Sequence, residues 1–263
     1  MANDNVAEQW REALKDEGYE HRAISDGDCA KLEKFSRVWR RILRQTGLRP
    51  VVLKVFEAGC GGGKHIVPFA FHGAACAGLD FSPEVLERAK LYIEEVKKTC
   101  RKHFDVELIH DNFLKYKPLR PGTYDIVFHA GVIEHFFDDE ERLIFLKNMF
   151  NLTKSGGYAV SIVPSGMHPL REKMKNLKLG GYEIPEIDYT PFLMREEFAK
   201  CGGKDIKVLP HNIFGYLIID NSTGLKKFIQ KLFFYFFQLL PVSLLPYNFA
   251  VRHAGTLIGI ARK

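Results

Sequence analysis

The stretch VFEAGCGGGKHIVPFA, residues 55–70, carries four glycines within the five positions 59–63. Glycine weakens regular structure, so this concentration indicates a turn where a ligand approaches the backbone closely. The run before it, VVLKVFE (51–57), is apolar and follows Pro50, which is typical of a buried strand. The segment after it, residues 64–73, predicts a helix that tolerates Pro68 in its first turn. A strand, a glycine turn and a helix therefore begin the predicted fold.

Strands and helices alternate along the chain beyond this turn. Six further β-rich segments predict strands at 74–80, 105–110, 124–130, 157–163, 205–210 and 256–262. Helices are predicted at 82–99, with Ser82 as N-cap, at 138–156, ending at Gly156, and at 192–203. This alternation implies right-handed crossovers and a parallel sheet covered on both faces. We therefore predict an α/β fold with a doubly wound, seven-stranded, mostly parallel, Rossmann-like sheet.

Composition describes a folded and mildly basic protein. The 263 residues are 46% apolar and carry a formal charge of +6, which suits acidic small molecules, an anionic membrane or nucleic acid. The N-terminus is polar and does not resemble a secretory signal. An odd number of scattered cysteines predicts free thiols in a reducing cytoplasm. They are Cys29, Cys60, Cys76, Cys100 and Cys201.

The spacing of the glycines separates three classes of ligand. A phosphate-binding P-loop does not fit, because Ala58 stands at its first glycine and His65 at its metal-binding hydroxyl. The dinucleotide fingerprint does not fit either, because its third glycine falls on Lys64. Glycines instead alternate after an acid, in the pattern Glu57-x-Gly59-x-Gly61-x-Gly63. An acid at this place favours a ligand with a positive group over a pyrophosphate.

Two more acids close predicted strands. Asp80 lies 21 residues after Gly59, where a carboxylate can accept hydrogen bonds from two ribose hydroxyls. Asp111 closes the third strand in LIHDNF, where it can accept from an adenine amino group. Together with Glu57, these acids suit a nucleoside that carries an amino acid. S-adenosylmethionine is such a ligand.

With these features the chain resembles the class I S-adenosylmethionine-dependent methyltransferases, in the small-molecule group that includes ubiquinone-biosynthesis enzymes. The resemblance covers residues 51–163 well and 192–263 loosely. It rests on VFEAGCGGG (55–63), GLDFSPEVLERAK (78–90), LIHDNF (108–113), YDIVFHAGVIEHF (124–136) and LTKSGGYAVSIVPS (152–165). It implies an S-adenosylmethionine-binding domain at 51–263. The residue pattern before it predicts two helices within 5–46 that end at Gly18 and Gly47, and thus a helical N-terminal cap at 1–50. Insertions are expected at 164–191 and 211–254.

The resemblance also implies a role for each matching residue. Gly59, Gly61 and Gly63 would let the backbone approach the methionine portion, and Glu57 would orient the turn or the amino group. Asp80 would hold the ribose. The remaining cofactor contacts would be Phe81 against the adenine face, Asp111 and Asn112 at its edge, and His129 to Gly131 near the sulfonium. For the His129 side chain we favour the alternative of a buried, hydrogen-bonded core histidine.

His135, in VIEHF, is the candidate catalytic residue. It lies just past the fourth strand, where it either acts as general base towards an acceptor hydroxyl or packs at the start of the next helix. Glu134 has the same two interpretations. Alignment of acceptor, methyl and sulfur can supply much of the rate acceleration, so no elaborate catalytic constellation is required. No metal is expected.

The stretch GLKKFIQKLFFYFFQLLPVSLLPYNF (224–249) is the most unusual segment. Its apolar run of 15 residues, 232–246, is too short for a membrane span, which needs about 20. Three interpretations remain for this segment. It is an interfacial helix with Lys226, Lys227 and Lys231 towards anionic head groups, a lid over the acceptor site, or part of the hydrophobic core.

We favour a small, apolar or lipid-linked methyl acceptor and a cytoplasmic protein in peripheral contact with a membrane. The alternative is a non-catalytic module of the same fold that docks a partner or a membrane through 224–249. Nucleic-acid methylation is disfavoured. The chain has neither an Asn/Asp-Pro-Pro-Tyr/Phe motif nor a cysteine near the fourth strand.

Overall fold

A computed structural model describes residues 24–119, 121–179, 184–219 and 221–263. Seven strands of the described chain form one sheet in the order β3–β2–β1–β4–β5–β7–β6. They are β1 (Lys54–Ala58), β2 (Ala75–Asp80), β3 (Val106–His110), β4 (Tyr124–Ala130), β5 (Thr153–Pro164), β6 (Lys204–Ile213) and β7 (Ala254–Arg262). β1 to β5 pair in parallel, whereas β7 is antiparallel to both β5 and β6. The predicted seven-stranded, mostly parallel sheet is confirmed.

Helices cover both faces of this sheet. They are α1 (Asp26–Leu32), α2 (Arg37–Thr46), α3 (Ile66–Phe71), α4 (Pro83–Cys100), α5 (Asp139–Leu152), α6 (Arg171–Asn176), α7 (Pro191–Lys200), α8 (Tyr216–Ile219), α9 (Gly224–Leu239) and α10 (Tyr247–Arg252). Alternate side chains of a strand point to opposite faces. Val55 accordingly packs with α2, α3 and α4, whereas Phe56 packs with α5 on the other face. The chain moves outward from β1 to β3 and returns at β4, so the carboxyl ends of β1 and β4 form the crevice where ligands bind in such sheets.

Several local signals place the helices as predicted. The Ser82 hydroxyl accepts a hydrogen bond from the Val85 N–H (3.3 Å), and Pro83 is the first residue of α4. Pro68 is the third residue of α3, where its missing N–H costs nothing. Gly47 ends α2 in the left-handed conformation at φ +70°. The predicted helix that ends at Gly18 lies outside the described residues.

Two predicted helix boundaries are wrong. The single helix expected before Gly47 is two helices, because the chain turns after Leu32 and lets Phe35 pack on Phe69 (ring centroids 5.1 Å apart). The helix expected to end at Gly156 ends at Leu152, because Thr153 is already extended and pairs with β4. The Thr153 hydroxyl donates to the Met149 carbonyl and satisfies that end of the helix.

The insertions and the N-terminal cap also differ from expectation. β6 extends to Ile213 and β7 begins at Ala254, so the segment between them is 214–253 rather than 211–254. The chain between β5 and α7 includes the short helix α6. In the N-terminal part, Trp39 of α2 is buried against Phe69 and Phe128. α2 thus packs into the core of the sheet, and a domain boundary at residue 50 stays a prediction.

The thiol prediction is wrong for two cysteines. Cys29 of α1 and Cys100 at the end of α4 form a disulfide, with their Cα atoms 5.5 Å apart and a sequence separation of 71. Cys60, Cys76 and Cys201 are free, as predicted. The pairing has no local sequence signal, because only the packing of α1 on α4 brings the two residues together.

Replacing Cys100 by Ser is expected to lower the free energy of unfolding by about 2–4 kcal/mol under non-reducing conditions, because the unfolded chain is no longer closed into a long loop and regains conformational entropy. Urea unfolding with and without a reductant measures this. Cys201→Ser, which removes a free thiol, is the matched control. A wild-type transition that does not respond to the reductant would contradict the disulfide.

Candidate cofactor and acceptor site

The glycine turn after β1 has the shape that the sequence predicts. Gly59 has φ +71°, and a Cβ there would lie 2.6 Å from Val132 Cγ2, so both conformation and packing require glycine. Gly61 also has positive φ (+50°), but no heavy atom lies within 4 Å of where its Cβ would be. Gly59 therefore holds the turn against β4, whereas Gly61 leaves open space that a ligand can fill. Gly63, at φ +83°, completes the turn before α3.

Asp80 ends β2 and fixes this turn. One carboxylate oxygen accepts from the Gly61 N–H (2.9 Å), and the other accepts from the Ser82 N–H (3.1 Å). Burial raises the pKa of Asp80, and these backbone hydrogen bonds oppose the increase. Each carboxylate oxygen can accept more than one hydrogen bond. Asp80 can thus hold the turn and still accept from a bound ligand.

Glu57, near the end of β1, is a buried acid with one unpaired carboxylate oxygen. It is 1% exposed, and its Oε2 has no hydrogen-bond partner among the described residues. Burial raises the pKa of Glu57 well above its usual range, and the nearby Asp80 charge adds to the increase. An unpaired buried carboxylate oxygen is costly, so a ligand that donates a hydrogen bond to it or brings a positive charge is stabilised here. An α-amino group fits this requirement.

The acids and amides after β3 lie beside Asp80. The Asp111 N–H donates to the Asp80 carbonyl (3.1 Å), and the exposed Asp111 carboxylate accepts from the Asn112 N–H (2.7 Å). The Asn112 side chain accepts from the Leu114 N–H (3.0 Å). Phe81 is half-buried and contacts His110 through its carbonyl. These residues therefore meet at the carboxyl ends of β2 and β3.

At the end of β4, the two expected cofactor contacts differ in accessibility. The His129 ring is completely buried, with Nε2 2.9 Å from the Ser161 hydroxyl and the ring edge-on to Phe145. Burial lowers the pKa of His129 to about 3, so it is neutral. Gly131 is partly exposed at φ +75°, and its N–H donates to the Ile162 carbonyl (2.9 Å). The His129 side chain thus belongs to the core, and the backbone at Gly131 reaches the edge of the crevice.

Glu134 and His135 lie in a short 3₁₀ turn (Ile133–His135) beyond β4. The structure brings a third residue, Glu186, close to them. His135 Nδ1 lies 2.9 Å from the Pro185 carbonyl, and burial lowers the His135 pKa. Burial raises the pKa of Glu134 to about 8, and the nearby Glu186 carboxylate also raises it. Sequence analysis missed Glu186. Its only signal is that it is an acid next to a proline in the chain between β5 and α7.

A buried ion pair attaches this same part of the chain to the helices. Arg142 of α5 lies 2.7 Å from Glu197 of α7, and both side chains are almost fully buried. The Tyr189 hydroxyl donates to the other oxygen of Glu197 (2.7 Å). Tyr189 follows Glu186 closely, so the pair fixes the segment that carries Glu186. Sequence analysis did not find these three residues as a group.

The sheet order, the glycine turn and the acids at the strand ends are the features expected of an α/β protein of the methyltransferase class. Residues 56–161 match the family described as methyltransferase domain. Over 189 residues the chain is 26% identical to a ubiquinone biosynthesis O-methyltransferase of Shigella boydii, covering 60% of this chain and 74% of that protein.

Solved structures show the same fold. A SAM-dependent methyltransferase from Archaeoglobus fulgidus superposes with a TM-score of 0.55 at 15% identity, covering 89% of this chain and 96% of that chain. Magnesium protoporphyrin IX methyltransferase from Synechocystis PCC 6803, solved with bound SAH, superposes with a TM-score of 0.55 at 15% identity. The superposition covers 99% of this chain and 95% of that chain. Residues 56–161 thus match a methyltransferase domain, and the described chain has the fold of class I S-adenosylmethionine-dependent methyltransferases. S-adenosylmethionine is its cofactor.

Proposed function

We propose that this methyltransferase acts on a small, apolar or lipid-linked acceptor and docks on an anionic membrane surface through α9. The observation that supports this proposal most strongly is the outer face of α9, which is a row of exposed apolar side chains. Phe228 is 64% exposed, Leu232 62% and Leu239 79%. The full outer face consists of Leu225, Phe228, Ile229, Leu232, Tyr235, Phe236 and Leu239. Such a contiguous apolar surface marks an interaction site.

Contacts on the opposite side of α9 determine which face points outward. The Phe233 and Phe237 rings each lie 4.7 Å from the ring of Phe214. The Gln238 amide donates to the Ile213 carbonyl (3.0 Å), and Arg37 donates to the Gln238 side-chain oxygen (3.0 Å). The exposed row therefore follows from how α9 packs against the protein.

Lysines flank the outer face on both sides. At about 100° per residue, Lys226 and Lys231 lie roughly 100–120° from the centre of the row, one on each side. Both are exposed. An interfacial helix has this arrangement, in which lysines extend towards head groups while the apolar face enters the bilayer surface. Each such cation contributes about 1 kcal/mol of attraction to an anionic surface.

The membrane contact would lie in the plane of the interface. Within the part of the chain that the structure describes, no helix combines the length and apolarity required to cross a bilayer. The Shigella relative supports an apolar acceptor, since its name refers to ubiquinone biosynthesis and to O-methylation. A helix at the interface would bring the acceptor crevice to molecules that reside in the membrane.

The chain's own residues have distinct roles in this proposal. The cofactor, when bound, supplies a methyl group made electrophilic by its sulfonium. Glu57 accepts from the amino group, and the backbone at Gly59, Gly61 and Gly63 accommodates the methionine portion. Asp80 binds the ribose. The other proposed contacts are Phe81, Asp111 and Asn112 with the adenine, and the backbone from His129 to Gly131 near the reacting centre.

His135 remains the proposed catalytic residue on the acceptor side. Its Nδ1–H donates to the Pro185 carbonyl, which leaves the lone pair on Nε2. Nε2 can therefore accept a proton from an acceptor hydroxyl, although burial lowers the pKa of the ring and weakens it as a base.

A double variant, Phe228→Asp with Leu232→Asp, is expected to lower partition onto anionic vesicles more than tenfold, because each buried apolar side chain contributes about 1.5–3 kcal/mol. Co-sedimentation with vesicles of phosphatidylglycerol and phosphatidylcholine measures the effect. Leu119→Asp is the matched control, since Leu119 is 99% exposed but isolated from α9. The membrane proposal fails if wild type stays in the supernatant, or if both variants partition like wild type.

The acceptor class is tested with S-adenosylmethionine labelled in its methyl group. The full-length protein is incubated with a total lipid extract in vesicles, and Asp80→Ala serves as the inactive control. Label extracted into the organic phase by wild type alone supports an apolar acceptor. Enzyme-dependent label that appears only in water-soluble products contradicts it.

A further inference from the structure

We propose that Glu134, His135 and Glu186 form a binding site for one divalent transition-metal ion at the acceptor side of the crevice. One potential ligand atom from each residue lies within 4.8 Å of the other two. The three residues are between 2% and 8% exposed. The site goes beyond the sequence analysis, which predicted no metal.

Glu134 provides an independent reason for a ligand at this place. Neither of its carboxylate oxygens has a hydrogen-bond partner among the described residues, although the residue is only 2% exposed. A buried carboxylate in this state is strongly destabilising unless a cation or a proton compensates it. A bound cation would satisfy Glu134 directly.

Among the described residues, the acids around Glu134 outnumber the cations. Three acids, Glu134, Glu186 and Asp188, lie near two cations, Arg171 and Lys175. Arg171 pairs with both Glu186 (2.7 Å) and Asp188 (2.7 Å), and Lys175 pairs with Asp188. Glu186 has two carboxylate oxygens, so its ion pair with Arg171 is compatible with metal ligation. A divalent ion would add positive charge to this group of acids.

Backbone hydrogen bonds hold the two parts of the site together. The Ile187 N–H donates to the Glu134 carbonyl (2.8 Å), and His135 Nδ1 donates to the Pro185 carbonyl (2.9 Å). The second bond selects the tautomer whose lone pair is on Nε2, the atom that a metal requires. Metal-binding histidines commonly donate their other ring N–H to a backbone carbonyl in this way.

The types of ligand indicate which ion would bind. One imidazole and two carboxylates suit Mn²⁺, Fe²⁺, Co²⁺ or Zn²⁺, whereas Ca²⁺ and Mg²⁺ favour oxygen ligands alone. Three protein ligands leave positions open for water or an acceptor oxygen. Glu134 also approaches the cofactor edge, since a Cβ on Gly131 would lie 3.7 Å from its Oε1. An acceptor oxygen would fit one of these open positions, and this assignment of the acceptor rests on the proposed function. In that arrangement His135 binds the metal instead of acting as the general base.

Metal binding is tested on the full-length protein after treatment with a chelator. Titration calorimetry with Mn²⁺ and Zn²⁺, and the visible absorption of added Co²⁺, are expected to show one saturable site. Glu134→Gln and His135→Gln are expected to bind about 100-fold more weakly. Glu172→Gln, an exposed acid on α6, is the matched control and should bind like wild type.

Each outcome of this test is decisive. Glu134→Gln keeps the size of the side chain and removes an uncompensated carboxyl group, so circular dichroism should show a folded protein. No saturable binding to wild type, or equal binding to Glu134→Gln, overturns the site. If metal binding fails while S-adenosylmethionine still binds and lipid is still methylated, the proposed function survives and only the metal site is lost. If metal binds but no lipid is methylated, the acceptor class is wrong.

Discussion

Glu197→Ala is expected to lower the free energy of unfolding by about 3–5 kcal/mol, the range for breaking one side of a buried ion pair. The Arg142 and Glu197 side chains are only 4% and 5% exposed. Removing the carboxylate leaves the guanidinium and the Tyr189 hydroxyl buried without their shared acceptor. Arg142 keeps its ion pair with Asp139 and its hydrogen bonds to the carbonyls of Phe136 and Phe137. We therefore expect a value near the lower end of the range.

The adjacent glutamate offers a matched control. Glu196 forms an exposed ion pair with Lys200, and such surface pairs contribute about 0–1 kcal/mol. Urea unfolding of Glu197→Ala and Glu196→Ala under the same conditions compares one buried with one exposed carboxylate on the same helix. Similar losses for the two variants would show that the buried pair does not hold the segment at Tyr189.

Asp80→Ala is expected to weaken S-adenosylmethionine binding about 100-fold. The variant loses the acceptor of the Gly61 and Ser82 N–H groups, so the glycine turn and the start of α4 are no longer held together. It also loses the proposed acceptor for the ribose. Hydrogen bonds to a charged group contribute about 1.5–3 kcal/mol each, and a loss of about 3 kcal/mol corresponds to about 100-fold in affinity.

Titration calorimetry with S-adenosylmethionine measures this loss, with NAD and ATP as ligands that should not bind. Asp111→Ala is the comparison. The Asp111 carboxylate is exposed and accepts only from the neighbouring Asn112 N–H in the described structure, so we expect less than about a tenfold change. Unchanged affinity in Asp80→Ala would mean that the cofactor does not bind at the glycine turn.

The sequence by itself determined the features whose signals are local. Positive φ at Gly59 and Gly61 requires glycine whatever surrounds them, and Ser82 with Pro83 marks the start of a helix through backbone chemistry. Strand spacing then predicted the sheet and placed Asp80 at a strand end beside the glycine turn. The helix boundaries at Leu32 and Leu152 were missed, because tertiary packing of Phe35 and strand pairing of Thr153 override the helical pattern there.

Tertiary structure alone decided which distant side chains meet. The Cys29–Cys100 disulfide and the Arg142–Glu197 pair each join residues more than 50 positions apart. Glu186 approaches Glu134 only because the chain after β5 folds back over the end of β4. The apolar composition of 224–249 was evident, but its packing on Phe214 determined which face of α9 is exposed. These contacts depend on three-dimensional proximity and charge balance, for which no local residue pattern exists.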